Sequence, residues 1–103
     1  VFVANDLMAL GFLRAMNDAG IRVPQDISIV GFDDMPGAGH FLPGLTTVQQ
    51  DLDRLGQQCI AMLLAELNDS AGAFAPLEPT LVIRESATQF HGERGARVLA
   101  AGL

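Results

Sequence analysis

Two short apolar segments, separated by one helix length, constrain the fold of this chain more than any other feature. Residues 1–4 read VFVA and residues 27–32 read ISIVGF, which are the β-branched and apolar side chains of buried strands. Between them, Asn5 and Asp6 offer a helix N-cap, LMALGFLRAMNDAG supplies helix formers, and Gly20 provides a stop. Strand, helix and strand in this order predict the βαβ unit of a parallel sheet.

The rest of the chain continues this alternation. A loop rich in glycine and proline (33–44) leads to LTTVQQ (45–50), whose threonine and valine side chains favour an extended segment. Asp51 then caps a long predicted helix, whose leucines recur at helical spacing. LVIRESAT (81–88) is predicted as the last strand, and the tail (90–103) is left unassigned.

Composition and charge exclude several classes of function. The 103 residues suffice for one domain, and 50% of them are hydrophobic, which favours a packed core over disorder. The formal net charge is −6, and the chain contains no lysine. Clustered Lys and Arg dominate affinity for nucleic acid, so we expect this chain by itself to bind neither DNA nor RNA. No apolar run approaches the roughly 18 residues of a membrane span, so none is expected.

We find no constellation of residues typical of a catalytic or metal site. His40 and His91 are far apart and lack the ligand spacing of a zinc site. Cys59 falls on the apolar side of the long predicted helix, and we expect it to be a buried core thiol. A phosphoacceptor receiver domain has a similar length and fold class but needs a lysine. The sequence therefore predicts a protein that is not an enzyme and has no metal or cofactor.

One acidic pair stands where open α/β sheets bind ligands, beyond the carboxyl end of a strand. Asp33 and Asp34 follow the strand predicted at 27–32, and Asn5 follows the first strand in the same way. These side chains could converge on one polar ligand. The alternative is that Asn5 only caps its helix and the aspartates only structure a turn.

Three blocks carry a specific resemblance, which covers residues 1–88. FVANDLMALGFLRAMNDAGIRVPQDISIVGFDD, LPGLTTVQQDLDRLGQ and LEPTLVIRESAT together closely resemble the C-terminal part of LacI/GalR-family transcriptional regulators. The resemblance implies a periplasmic-binding-protein-like α/β fold, in which helices flank a parallel sheet in three layers. It also implies that residues 1–89 are part of an effector-binding and dimerisation core, and that the DNA-binding headpiece is missing from this chain.

The resemblance also assigns roles to individual residues. It implies that a sugar or related polyol effector is bound by four residues: Asn5, Asp33, Gln50 and Leu52. It implies a homodimer contact through Leu10 and the loop residues His40, Phe41 and Leu42, with Leu10 and the Phe41–Leu42 pair as exposed apolar surface. Leu55 matches an apolar position near the effector, whereas Asp34 matches a position that faces the following loop.

Two functions therefore remain open at this stage. The first is the effector-sensing part of a cytoplasmic, sugar-responsive repressor, which would reach DNA only through its missing headpiece. The alternative is a periplasmic sugar-binding receptor of a transport system, which has the same fold. The blocks VPQDISIVGFDD and LVIRES favour the regulator. The abrupt start at VFVA leads us to expect that the chain is a fragment.

Overall fold

The computed structural model describes residues 1–70 and 72–89, so the tail predicted at 90–103 lies outside the described residues. Within these residues the structure contains two α-helices, three strands and one short 3-10 helix. In chain order they are α1 (Asp6–Asp18), β1 (Val30–Asp33), the 3-10 helix (Ala38–His40), β2 (Thr46–Gln49), α2 (Leu52–Leu67) and β3 (Thr80–Val82).

Helix α1 forms where the sequence predicts it. The Oδ1 atom of Asn5 accepts a hydrogen bond from the backbone N–H of Met8 at 2.8 Å, which satisfies one of the donors left open at a helix start. After the helix, Gly20 has a φ of +69°, a left-handed conformation that glycine adopts without a Cβ clash. Ala9 and Leu13, four residues apart on one face of α1, are both buried, and this face packs into the core that includes Ile29 and Leu45.

The three strands form one sheet, which contains the predicted parallel pairing. β1 and β2 pair in parallel, beginning with Val30 opposite Thr46, and β3 follows β2 in the order β1-β2-β3. The strand predicted at 1–4 is reduced to a single parallel bridge between Phe2 and Val30. The prediction of an α/β fold is confirmed, with parallel pairing of β1 and β2, although the first strand is much shorter than predicted.

β1 begins later than the apolar run at 27–32 indicates. The backbone N–H of Ile29 donates to the carbonyl of Ser86 at 2.8 Å, and the Ile29 carbonyl accepts from the Ser86 hydroxyl at 2.6 Å. Ser86 thus occupies both backbone groups of Ile29, so no neighbouring strand pairs with them. Side-chain hydroxyls compete with sheet ladders in this way, and sequence periodicity does not reveal it.

The strand predicted at 81–88 is also shorter, because β3 ends at Val82. Beyond it, the backbone N–H of Arg84 donates to the Thr46 hydroxyl at 2.9 Å, and the backbone N–H of Thr46 donates to the Ser86 hydroxyl at 2.8 Å. The segment that follows β3 is therefore attached to β2 through side chains rather than through a backbone ladder.

An ion pair closes the turn between α1 and β1. Arg22 Nη2 lies 2.6 Å from Asp26 Oδ1, and Arg22 Nε donates to Asp26 Oδ2 at 2.8 Å. The hydrogen bond and the charge of Asp26 raise the pKa of the Arg22 guanidinium above its ordinary value. The arginine thus stays charged throughout the physiological pH range.

The described residues form two compact units. The first unit is Val1–Gln49 together with the described residues from Leu81 onward, and the second unit is Gln50–Thr80. The first unit contains a core of six buried apolar residues, which are Val3, Ala9, Leu13, Ile29, Ala38 and Leu45.

The second unit consists of α2 and the connector that follows it. Asp51 caps α2 by accepting the backbone N–H of Arg54 at 3.0 Å, as the sequence predicts. In the described structure α2 contains no buried residue, and Cys59 is exposed. The prediction that Cys59 is a buried core thiol is therefore wrong. Helical spacing of apolar residues defines a face, but burial requires a partner surface, and the described connector touches α2, for example through Gln58 and Ala75, without burying any of its residues.

Candidate functional site

The acidic pair lies at the carboxyl end of β1, where the backbone leaves the sheet. Asp33 is the last residue of β1 and is exposed, with a φ of +108°, and Asp34 follows with a φ of +52°. Residues other than glycine rarely adopt positive φ, although aspartate tolerates it better than most. Two such residues in succession turn the chain sharply, and Asp33 stands at the sheet edge, opposite Gln49 of β2.

Asp34 is part of a polar cluster that joins β1 to its neighbours. Arg84 Nη2 lies 2.7 Å from Asp34 Oδ1, and Gln49 Nε2 donates to Asp34 Oδ2 at 2.9 Å. The Asp34 side chain is only 12% exposed, and Arg84 also donates to the carbonyl of Leu45 at 2.8 Å. The resemblance predicts that Asp34 faces the following loop. That prediction is wrong, because both oxygens are bound by groups from β2 and from the segment after β3.

A second carboxylate, Asp6, lies behind this edge and was missed by the sequence analysis as a site residue. It is 1% exposed, accepts the Thr47 hydroxyl at 2.6 Å, and accepts the backbone N–H of Met35 at 2.8 Å. The sequence treats Asp6 as half of a capping pair with Asn5. The feature that could have revealed the role of Asp6 is Thr47, whose hydroxyl lies among the buried positions of β2 and therefore requires a polar partner.

Asn5 is half-buried, and its side-chain oxygen is used to cap α1, as the capping alternative predicts. The carboxamide also has an NH2 group, which can donate to a ligand. The adjacent Asp6–Met35 bond holds the first turn of α1 to the residue two positions after Asp33. The structure therefore brings the start of α1 and the end of β1 into one region of the first unit.

The other two predicted effector residues belong to the second unit. Gln50 is half-buried and directly follows β2, and its carbonyl accepts the backbone N–H of Leu52 at 3.0 Å. Leu52 is the first residue of α2 and is 62% exposed, and Leu55 is 40% exposed. Their roles toward an effector stay predictions.

The predicted dimer contact is partly exposed. Leu42 is 94% exposed, Leu10 is 42% exposed, and His40 is exposed at the end of the 3-10 helix. Phe41, by contrast, is half-buried and packs against the core. The prediction of an exposed Phe41–Leu42 pair is right for Leu42 and wrong for Phe41. Phe41 has extended backbone angles, and neighbouring side chains on extended backbone point to opposite sides.

Two further features bear on the chemistry of the described residues. Among residues 1–70 and 72–89, no group of three or more His, Cys, Asp and Glu side chains could hold a metal ion. Within the same residues, neither helix is both long and apolar enough to cross a bilayer. In the described structure, the polar groups assembled at the end of β1 are suited to hydrogen-bonding a ligand.

Comparison with known protein families gives one match that covers most of the chain. The family model described as a periplasmic binding protein-like domain matches residues 1–87. Among curated proteins, the HTH-type transcriptional repressor PurR of Pasteurella multocida (strain Pm70) is 42% identical over 88 residues, which cover 84% of this chain and 26% of that protein. The chain thus spans about a quarter of the length of this relative.

Solved structures agree with this comparison. The Lac repressor dimer bound to operator and the anti-inducer ONPF superposes with a TM-score of 0.79 and 40% identity, over 85% of this chain and 31% of that one. A complex of the transcriptional regulator CelR with cellobiose gives a TM-score of 0.74 and 36% identity, over 84% of this chain and 27% of that one. These proteins regulate transcription, and two of them are seen with small molecules.

Proposed function

Because this chain belongs to the periplasmic binding protein-like family, as a segment of the effector-binding core of a LacI-family regulator, we propose a role for Asp33. Asp33 is a principal hydrogen-bond acceptor for the effector. One observation carries the proposal. Of the three aspartates near the end of β1, Asp6 is buried and the Asp34 side chain is only 12% exposed, whereas Asp33 is exposed at the carboxyl end of the strand, where a ligand can reach it.

The chemistry of a carboxylate supports this role. An ionised carboxylate accepts short, charge-assisted hydrogen bonds, and its two oxygens can accept from two neighbouring hydroxyl groups at once. The charge of the adjacent Asp34 carboxylate is balanced by its ion pair with Arg84. On the family resemblance we include Asn5, Gln50 and Leu52 as further effector-binding residues.

We propose a sugar or a related polyol as the effector class. The CelR–cellobiose complex supports this choice, because a regulator of similar fold and 36% identity binds a disaccharide. The PurR relatives make purines the second candidate class, since ring N–H groups can also donate to a carboxylate. Titration of the protein with sugars and with a purine distinguishes these two effector classes.

For the protein as a whole, we propose a repressor that senses its effector through this core and acts as a homodimer. The Lac repressor structure, a dimer on its operator, supports this assembly. DNA would be bound through a headpiece rather than through this acidic segment, and such a regulator works in the cytoplasm, where its operators are. Effector binding and operator binding are then coupled, and each changes the affinity of the other by the same factor.

A periplasmic sugar receptor was the alternative from the sequence, and the fold alone is compatible with it. The relatives argue for the regulator, because the similar curated protein and the similar structures are transcriptional repressors and regulators. They also favour a protein that binds its ligand without transforming it.

The test is calorimetric titration of the protein encoded by the complete gene with cellobiose, lactose and hypoxanthine. We expect one sugar to bind, and Asp33→Asn to weaken that binding by about 1.5–3 kcal/mol, roughly one to two decades. Asp18→Asn is the matched control, since Asp18 is an exposed aspartate paired with Arg14 in α1. Equal affinity in Asp33→Asn and wild type would refute the assigned role, and binding of hypoxanthine alone would favour the purine class.

A further inference from the structure

We propose that Asp6 is a positioning residue for the effector site, whose buried carboxylate holds the turn that presents Asp33. The inference rests on the proposed role of Asp33 as effector acceptor. Asp6 itself is 1% exposed and therefore contacts no ligand at the sheet edge. Its effect on binding would be exerted through the backbone between Asp33 and Met35.

The contacts of Asp6 join α1 to β2 and to the turn after β1. The residue lies in the first turn of α1, one oxygen accepts the hydroxyl of Thr47 in β2 at 2.6 Å, and the other accepts the backbone N–H of Met35 at 2.8 Å. Hydrogen bonds to an ionised acceptor are roughly twice as strong as neutral ones. The positive end of the α1 dipole also favours an anion at this position. Asp6 is thus well suited to anchor a short backbone segment.

The turn after β1 requires such an anchor. Asp33 and Asp34 both have positive φ, and residues other than glycine hold this conformation only where their surroundings fix it. Asp34 is fixed by Arg84 and Gln49, and Met35 is fixed by Asp6, so the turn is held immediately after Asp33 and again one residue later. Loss of the Met35 anchor would let the turn relax toward ordinary φ values and move the Asp33 carboxylate.

The glycine of the GFDD motif fits the same arrangement. A Cβ built on Gly31 collides with the Asp6 carboxylate and lies 2.9 Å from Leu45 Cδ2. Gly31 is buried in β1, and its lack of a side chain leaves the space that the carboxylate occupies. The motif therefore supplies both the exposed acceptor, Asp33, and the room for the residue that positions it.

The experiment separates positioning from a merely structural role. Amide hydrogen exchange of Met35 is measured in the ligand-free protein encoded by the complete gene and normalised to the amide of Leu45, which donates to the Ala38 carbonyl in the core. The variants are Asp6→Asn, which keeps the shape and removes the charge, and Thr47→Val, which keeps the shape and removes the hydroxyl. Asp6→Ala is the complete deletion, and Asp18→Asn is the control.

We expect Asp6→Asn to raise the normalised Met35 exchange rate about tenfold and to weaken cellobiose binding by a similar factor, with a smaller effect of the same sign in Thr47→Val. Asp6→Ala should raise the Met35 exchange rate and weaken binding more than either of the other variants. If Asp6→Ala fails to fold, Asp6→Asn and Thr47→Val provide the test. Equal acceleration of Met35 and Leu45, or no acceleration of Met35, would overturn the inference. If the wild type binds no cellobiose, the proposed ligand is wrong, whereas the exchange ratio still decides whether Asp6 positions the turn.

Discussion

The two compact units differ in how much of their structure local sequence patterns determine. In the first unit, apolar residues from α1, from the 3-10 helix and from the segments directly before α1, β1 and β2 meet in a core of six buried side chains. In the second unit, α2 runs for 16 residues with a capped start and many leucines, yet in the described structure none of its residues is buried. A cap and a spacing are enough to form a helix, whereas a core needs complementary surface from segments distant in sequence.

The first unit also differs in its polar interior. Asp6, Thr46, Thr47 and Ser86 are all buried, and each takes part in a hydrogen bond between segments that are distant in sequence. Among the described residues, no buried side-chain nitrogen or oxygen lacks a hydrogen-bond partner. A buried network of this kind is stabilising only while it is complete, because each orphaned group carries its full desolvation cost.

The largest expected contrast between the units concerns leucine. Leu45 is 0% exposed in the first core, and Leu64 is 53% exposed on α2. We expect Leu45→Ala to lower the free energy of unfolding of this chain by about 2–5 kcal/mol, because it leaves a cavity. Leu64→Ala removes the same atoms from a solvent-exposed surface and should change the free energy of unfolding by about 0.5 kcal/mol or less. Urea unfolding followed by circular dichroism gives both values, and equal losses would break the comparison.

A smaller contrast uses serine. The Ser86 side chain is fully buried and bridges Thr46 and Ile29, whereas Ser70, after α2, is exposed and its hydroxyl makes only one long hydrogen bond, of 3.4 Å, to the Ala65 carbonyl. Ser86→Ala leaves a buried N–H and a buried carbonyl without this partner, so we expect a loss of about 1–3 kcal/mol. Ser70→Ala should be close to neutral. The same urea titration measures both, and a neutral Ser86→Ala would mean that the buried hydroxyl contributes little to the first unit.

Sequence reasoning succeeded where one segment determines its own structure. The N-caps at Asn5 and Asp51, the glycine stop at Gly20 and the extended segment at β2 all follow from short patterns, and the structure contains each of them. The same reasoning correctly indicated that the acidic pair stands at the end of a strand.

It failed where two distant segments decide the outcome. The strand lengths depend on Ser86, which binds Ile29 from 57 residues away, and the partner of Asp34 is Arg84, which no local pattern connects to it. Asp6 was read as a capping residue, although its carboxylate reaches Thr47, 41 positions later. Burial of Cys59 was inferred from helical spacing, which reports the direction of a side chain but not whether another surface covers it.

The measurement that tests the central claim most directly compares two adjacent aspartates. Asp33→Ala and Asp34→Ala are each examined by effector titration and by thermal unfolding in the protein encoded by the complete gene. We predict that Asp33→Ala loses one to two decades of effector affinity, about 1.5–3 kcal/mol, with little change in the unfolding midpoint, because Asp33 is exposed. Asp34→Ala should lower the midpoint, because it leaves Arg84 without its ion-pair partner. An Asp33→Ala protein that unfolds early and keeps its effector affinity would contradict the account, and Asp33 would then be a turn residue.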